Sequence, residues 1–186
     1  MKNLANPKRI LMCGSPRAGK RDLMIALARH LGSAMPGLTK TTDEMPQQVW
    51  WPVRFPQGGE VLLEALHGPG FTYKKGVVDL FSRPVAGVIY VLKQENRDYY
   101  ESWLDLEQST FDTYYEVANQ TRCGYHEVPW LFVQARNWQP DSAWLSELIP
   151  PALKSSTLTV DAASGAGIPE LAHAIERMLA DASPRL

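Results

Sequence analysis

The apolar run Arg9-Ile10-Leu11-Met12-Cys13 runs straight into Gly14-Ser15-Pro16-Arg17-Ala18-Gly19-Lys20-Arg21, and this junction constrains the chain more than any other stretch. The run suits a buried strand, and Leu23, Leu27 and Leu31 recur at helical spacing directly after the loop. The segment therefore reads strand, glycine-rich loop, helix. That order is the opening unit of an α/β fold with a parallel sheet.

The loop matches G-x-x-x-x-G-K, the pattern in which glycines admit tight turns, backbone N–H groups cradle phosphate and the lysine neutralises it. The pattern ends on Ser or Thr, whose hydroxyl ligates magnesium; here the residue is Arg21. A guanidinium donates hydrogen bonds and has no lone pair to offer a cation. Gly14, Ser15, Arg17, Ala18, Gly19, Lys20 and Arg21 are thus candidate phosphate-binding residues, and magnesium is not expected in the usual place. A lysine at the head of a helix opposes the helix dipole unless an anion is near, which points to phosphate or sulfate at this site.

With 186 residues, 45% of them hydrophobic, and a net charge of −1, the chain is long enough for a single domain, 1–186, with a proper core. It lacks the basic excess of a nucleic-acid binder. No apolar stretch has the length of a membrane anchor, and Met1 to Pro7 lacks the apolar stretch of a signal peptide, so a cytoplasmic location is expected. Cys13 and Cys123 are expected to be free thiols. His30, His67, His126 and His173 show no metal-ligand spacing.

Beyond the first helix, Thr39 to Pro46 reads as a loop. Val49 to Phe55 and Val61 to Leu66 read as strands joined through Pro56-Gln57-Gly58-Gly59, a hairpin signal. Pro52 lacks the N–H a central strand must donate, which sends its strand to the sheet edge. Strands are then expected at Val85 to Leu92, Trp130 to Gln134 and Thr157 to Val160, and helices at Tyr99 to Asn119, Ala143 to Ile149 and Ile168 to Ala180. The fold expected is α/β: a mostly parallel six-stranded sheet with one antiparallel edge hairpin and helices on both faces.

This order resembles that of the Ras-like small GTPases along the whole chain, with the bacterial MglA-like branch the nearest in pattern. The family's third-strand motif x-x-Pro-Gly reads His67-Gly68-Pro69-Gly70 here, which makes Gly70 a further phosphate-binding candidate, and the interval from Gly70 to Gly87 matches the family spacing from its second switch glycine to the next strand. The resemblance implies a P-loop fold, GTP or GDP or a bare phosphate anion as ligand, and a cytoplasmic signalling or polarity role. It further implies a protein partner of the Roadblock type meeting the edge strand and switch region.

The departures from the family decide what activity is expected. In the family, the position of His67 holds an aspartate that reaches magnesium through water, and the residue after Gly70 is a glutamine that orients the attacking water. Here that residue is Phe71, which has no polar atom. The guanine-reading Asn-Lys-x-Asp falls on Ala135-Arg136-Asn137-Trp138, with a slip of one or two residues bringing Asn137 or Asp141 into play. Arg136, Asn137, Trp138 and Ala162 are the base-binding candidates. Thr39, Thr41 and Thr42 are all available as switch threonines, with no spacing that selects one. Three readings follow: a degenerate module that binds proteins and has lost hydrolysis, a purine-nucleotide switch with atypical metal and base contacts, or an unrelated phosphate-loop kinase or transferase, for which the sequence offers no lid arginines and no acceptor-site acid.

Six tryptophans and seven tyrosines are plentiful for this length. Alternation along the edge strand puts Val49, Trp51, Val53 and Phe55 on one face and Trp50, Pro52 and Arg54 on the other. Trp50 either packs under a helix or anchors a partner. The long helix adds Trp103, Phe111, Tyr114 and Tyr115. Since Tyr and Trp are enriched at interface hot spots, Trp50, Arg54, Trp103 and Tyr114 are the partner-binding candidates.

Overall fold

The computed structural model describes residues 7–14, 18–33, 47–57, 59–67, 74–92, 100–121, 128–135, 149 and 157–182. The side chains of 47–50, 66–67, 74–76, 79, 100–108, 121 and 135 lie outside that description. In chain order the elements are β1 (Lys8–Cys13), α1 (Lys20–His30), β2 (Gln47–Phe55), β3 (Gly59–His67), α2 (Lys74–Phe81), β4 (Gly87–Val91), α3 (Tyr100–Thr121), β5 (Trp130–Ala135), β6 (Thr157–Val160) and α4 (Ile168–Asp181).

The six strands form one sheet in the order β2-β3-β1-β4-β5-β6. Only the β2–β3 pair is antiparallel, and its register pairs Pro52 with Leu62 and Phe55 with Gly59. β2 is the edge strand, as Pro52 requires. The predicted strands all form, and α1, α3 and α4 fall where periodicity puts them. The helix expected at 143–149 lies outside the described residues apart from Ile149. The sequence reading missed α2, Lys-Lys-Gly-Val-Val-Asp-Leu-Phe, because eight residues with a central Gly76 are too few to show a helical period.

Alternation along the strands sorts the core into two layers. On one face, Ile10, Met12, Trp51, Val53, Phe55, Leu63, Ile89 and Val133 meet Leu23, Met24 and Leu27 of α1 and Leu171, Ile175 and Leu179 of α4. On the other, Leu11, Cys13, Val88, Tyr90, Trp130 and Phe132 meet Val77, Leu80 and Phe81 of α2 and Phe111, Tyr114 and Val117 of α3. The α4 carboxyl end has no basic residue in its last turn; Lys8 of β1 supplies the cation, its Nζ donating to the Leu179 carbonyl at 2.7 Å.

The second layer corrects the reading of Tyr114 as a partner-binding residue. Tyr114 is 2% exposed, and its neighbour Phe111 meets Tyr90 edge-on at 5.3 Å between centroids and lies 5.7 Å from both Trp130 and Phe132. The extra aromatic surface of α3 is used up by aromatic rings on β4 and β5 beneath it, as edge-to-face and offset pairs favour. Burial, and to a smaller extent the neighbouring Cys13, raises the Tyr114 hydroxyl well above the ordinary tyrosine value.

At the amino end of the parallel strands lies a buried charge network. Glu64 of β3 is fully buried and Arg9 of β1 is 6% exposed; Arg9 Nε donates to Glu64 Oε2 and its Nη2 to the Leu80 carbonyl at the end of α2. Arg9 Nη1 donates to the Arg83 carbonyl at 2.9 Å and to the Pro84 carbonyl at 3.3 Å, while Arg83 Nη2 reaches Glu64 Oε1 at 3.1 Å. One carboxylate thus sits between two guanidiniums, and the carboxyl end of α2 is tied to the sheet.

Candidate functional site

The chain order turns back at β1, whose two neighbours are β3 and β4, so the crevice beyond the carboxyl ends of β1 and β4 is the topological switch point at which open α/β sheets bind ligands. Gly14, Ala18 and Gly19, the described residues of the loop after β1, lie at that end of the sheet. Gly14 has φ +129°, and a Cβ on it would lie 2.2 Å from the Val91 carbonyl oxygen at the end of β4. Only glycine lets the loop leave β1 so close to its neighbour.

At the other end of the loop Gly19, with φ 81°, caps α1 without a side-chain hydrogen bond, and Leu23 N donates to its carbonyl at 3.0 Å. Lys20 opens the helix. It is 5% exposed, and its Nζ donates to the Gly14 carbonyl at 2.8 Å, so the lysine folds back across the loop and joins its two ends. Arg21, the next residue, is exposed. The departure read from the sequence thus has a geometric counterpart: the lysine is built into the loop, and a solvent-facing guanidinium stands where the pattern requires a magnesium-binding hydroxyl. The residues present do not fit that ion at this position. Among the described residues, no three His, Cys, Asp or Glu side chains gather as a metal site.

Beside the loop is a cavity of about 530 Å³, walled by Ala18 and Gly19 of the loop, Asp22, Leu23, Ile25 and Arg29 of α1, and Val91, Val133, Gln134 and Val160 at the carboxyl ends of β4, β5 and β6. Asp161, Ala162 and Ala163 after β6 close it. The cavity is partly open, its volume is in the range of small-molecule sites, and Asp22, Arg29, Gln134 and Asp161 supply its polar side chains. The β6–α4 loop is prefolded: Asp161 Oδ1 accepts from Ala163 N at 2.9 Å and Ser164 N at 3.3 Å, and Oδ2 accepts from Ser164 Oγ at 2.6 Å. Gly167, at φ +78°, then starts α4 with its Cα against β6, where a Cβ would come within 2.4 Å of the Thr159 carbonyl oxygen.

The structure brings Ala18, Gly19 and Ala162 to one cavity and pairs the Lys20 ammonium with the Gly14 carbonyl. Ser15, Arg17, Gly70, Phe71, Arg136, Asn137 and Trp138 lie outside the described residues, as do the side chains of His67, Trp50 and Trp103. Arg54 is exposed and reaches Glu60 across the hairpin at 3.9 Å. Asp22, Arg29 and Gln134 were not singled out from the sequence. Asp22 and Arg29 were legible as residues on the loop-facing side of α1, since they lie three and ten positions past Gly19.

A solved structure of Methanosarcina barkeri Roco2, RocCORdC bound to GDP, superposes on 96% of this chain with a TM-score of 0.54 and 17% identity. The fold is Ras-like. The chain spans about half the length of that Roco2 chain, 50% of it being covered. No family model matches the sequence, and no curated protein matches it. Among the described residues no helix is long and apolar enough to cross a membrane.

Proposed function

We propose that this chain is a degenerate Ras-like module that works by binding proteins in cytoplasmic signalling or polarity, with GTP hydrolysis lost or strongly impaired. The observation that carries the reading is Arg21. It is exposed at the first turn of α1, where the fold's chemistry needs a magnesium ligand, and the sequence places His67 and Phe71 where an acid and a water-orienting amide are needed. Metal, acid and water-positioning group are three parts of one transition state, and their joint loss removes most of the electrostatic stabilisation that phosphoryl transfer depends on. A Roadblock-type partner at the β2 edge, with Arg54 in the contact, belongs to this reading by resemblance to the MglA-like branch.

A second reading, a nucleotide switch with atypical contacts and slow, partner-assisted hydrolysis, is favoured by the cavity: its loop, its volume and its place at the switch point suit a purine nucleotide. Phosphate release from GTP by the purified chain, with magnesium and with chelator, separates the two. The first reading predicts no magnesium-dependent turnover, and a gain of magnesium dependence in the double variant Arg21→Thr/His67→Asp. Robust turnover by the unmodified chain contradicts it.

A further inference from the structure

α2 spans only Lys74–Phe81, and a helix that short stands by its contacts rather than by its own propensity. Its two ends are unequal. The sequence at the amino end is poor for a helix: Lys74 and Lys75 bring positive charge to the positive pole of the dipole, and the first turn holds no acidic residue. Gly76 adds the lowest helix propensity of any residue but proline.

The last turn has no basic residue of its own, and Arg9 of β1 supplies one. Its guanidinium donates to the carbonyls of Leu80, Arg83 and Pro84, and its main-chain carbonyl accepts from Ala86 N at 2.7 Å. Leu80 and Phe81 are buried, as is Val85 in the turn beyond. The side chain and main chain of one strand residue thus hold the chain at both ends of the stretch from Leu80 to Ala86. Glu64 makes this possible, because a guanidinium as buried as that of Arg9 needs a matched carboxylate. One Glu64 oxygen accepts from Arg9 Nε and the other from Arg83 Nη2 at 3.1 Å, so the same turn is tied a second time through Arg83.

We propose that Glu64 anchors a hinge: α2 opens locally from its amino end, and the opening stops at Leu80, where Arg9 and Arg83 hold the chain to the sheet. Segments with few fixed contacts open at a lower free energy than the domain as a whole. Here the border between such a segment and the fixed sheet falls inside one helix. The hinge is independent of what the crevice binds.

Backbone amide exchange, followed residue by residue by NMR on the full chain without ligand, tests the hinge. The informative amides are Val78, Asp79, Leu80 and Phe81, whose helical acceptors lie one turn back, and Ala86, which is bonded to Arg9. In the unmodified chain Val78 and Asp79 are expected to exchange at least about tenfold faster than Leu80, Phe81 and Ala86. In Glu64→Gln, and to a smaller extent in Arg83→Ala, the last three accelerate toward the rate of Val78. Leu27 in α1 and Ile175 in α4 accelerate only by the factor that the loss of global stability sets, which denaturant unfolding of each variant supplies. Arg83 has a side chain 43% exposed, so Arg83→Ala carries the test if Glu64→Gln does not fold. Equal exchange along Val78 to Phe81 in the unmodified chain overturns the proposal. So does acceleration of Leu27 and Ile175 as large as that of Leu80, which would make the ion network a support of the whole fold and not a hinge.

Discussion

Among the described residues, the buried charges sit at the two ends of the parallel strands, in two different settings. At the amino end, Glu64 is enclosed by Arg9 and Arg83, and Arg9 also serves three carbonyls at the end of α2 and in the turn after it. At the carboxyl end, Lys20 is folded onto the Gly14 carbonyl beside a cavity of about 530 Å³ whose wall carries Asp22 and Arg29. The first set of charges is matched within the protein and fixes a helix to the sheet. At the carboxyl end Lys20 is likewise tied within the protein, and it is the exposed Asp22 and Arg29 that face space a ligand can fill. The same fold therefore separates a structural ion network from a candidate recognition site by the length of one strand, and the charges that face the cavity are exposed ones rather than the buried ones.

The largest effect expected from breaking this contrast is at the amino end. Glu64→Ala leaves Arg9 buried beside a vacated partner, and removal of one member of a buried pair typically costs about 3–5 kcal/mol. Arg21→Ala, at the exposed start of α1, is expected to shift stability by no more than about 0.5 kcal/mol. Chemical denaturation of the two variants checks the contrast. Equal losses would mean that the loop end carries as much of the fold as the ion network does.

A smaller effect is expected between the two ends, at Tyr114. Burial holds its hydroxyl well above the ordinary tyrosine value in the folded chain. The unfolded chain ionises first, so the stability this group contributes is complete below about pH 10 and falls above it by up to about 1.4 kcal/mol per pH unit until the folded-state value is reached. Tyr114→Phe should match the unmodified chain to within about 1 kcal/mol at neutral pH and lose less stability above pH 10. Parallel curves for the two chains in alkaline solution would show that the hydroxyl is solvated.

Much of the fold was legible because its signals are local. The apolar run before Gly14, the leucines after it, Pro52 in an otherwise regular strand and the paired glycines after Phe55 each act through a few neighbouring residues. What escaped depends on partners distant in sequence. Arg9 and Glu64 look like incidental charges in two apolar strands, and only the β1–β3 register, which aligns Arg9 with Leu62 and Ile10 with Leu63, brings them to the same face under α2. Tyr114 looked like surplus aromatic surface because the rings that share its layer come from β4 and β5, as well as from α3 itself. The cavity was legible in half: the loop announced itself by its glycines, whereas Val91, Val133 and Val160 are ordinary strand residues until the sheet order sets their ends side by side.

On the proposed reading the chain keeps a Ras-like loop and cavity without the magnesium chemistry. Thermal stability of the nucleotide-stripped chain with GTP, GDP, ATP or phosphate, each with magnesium or with chelator, tests it most directly, because a ligand that binds only the folded state must raise its apparent stability. The shifts expected are small, similar for phosphate and the nucleotides, and the same with and without magnesium. A large GTP-selective shift that requires magnesium would contradict it.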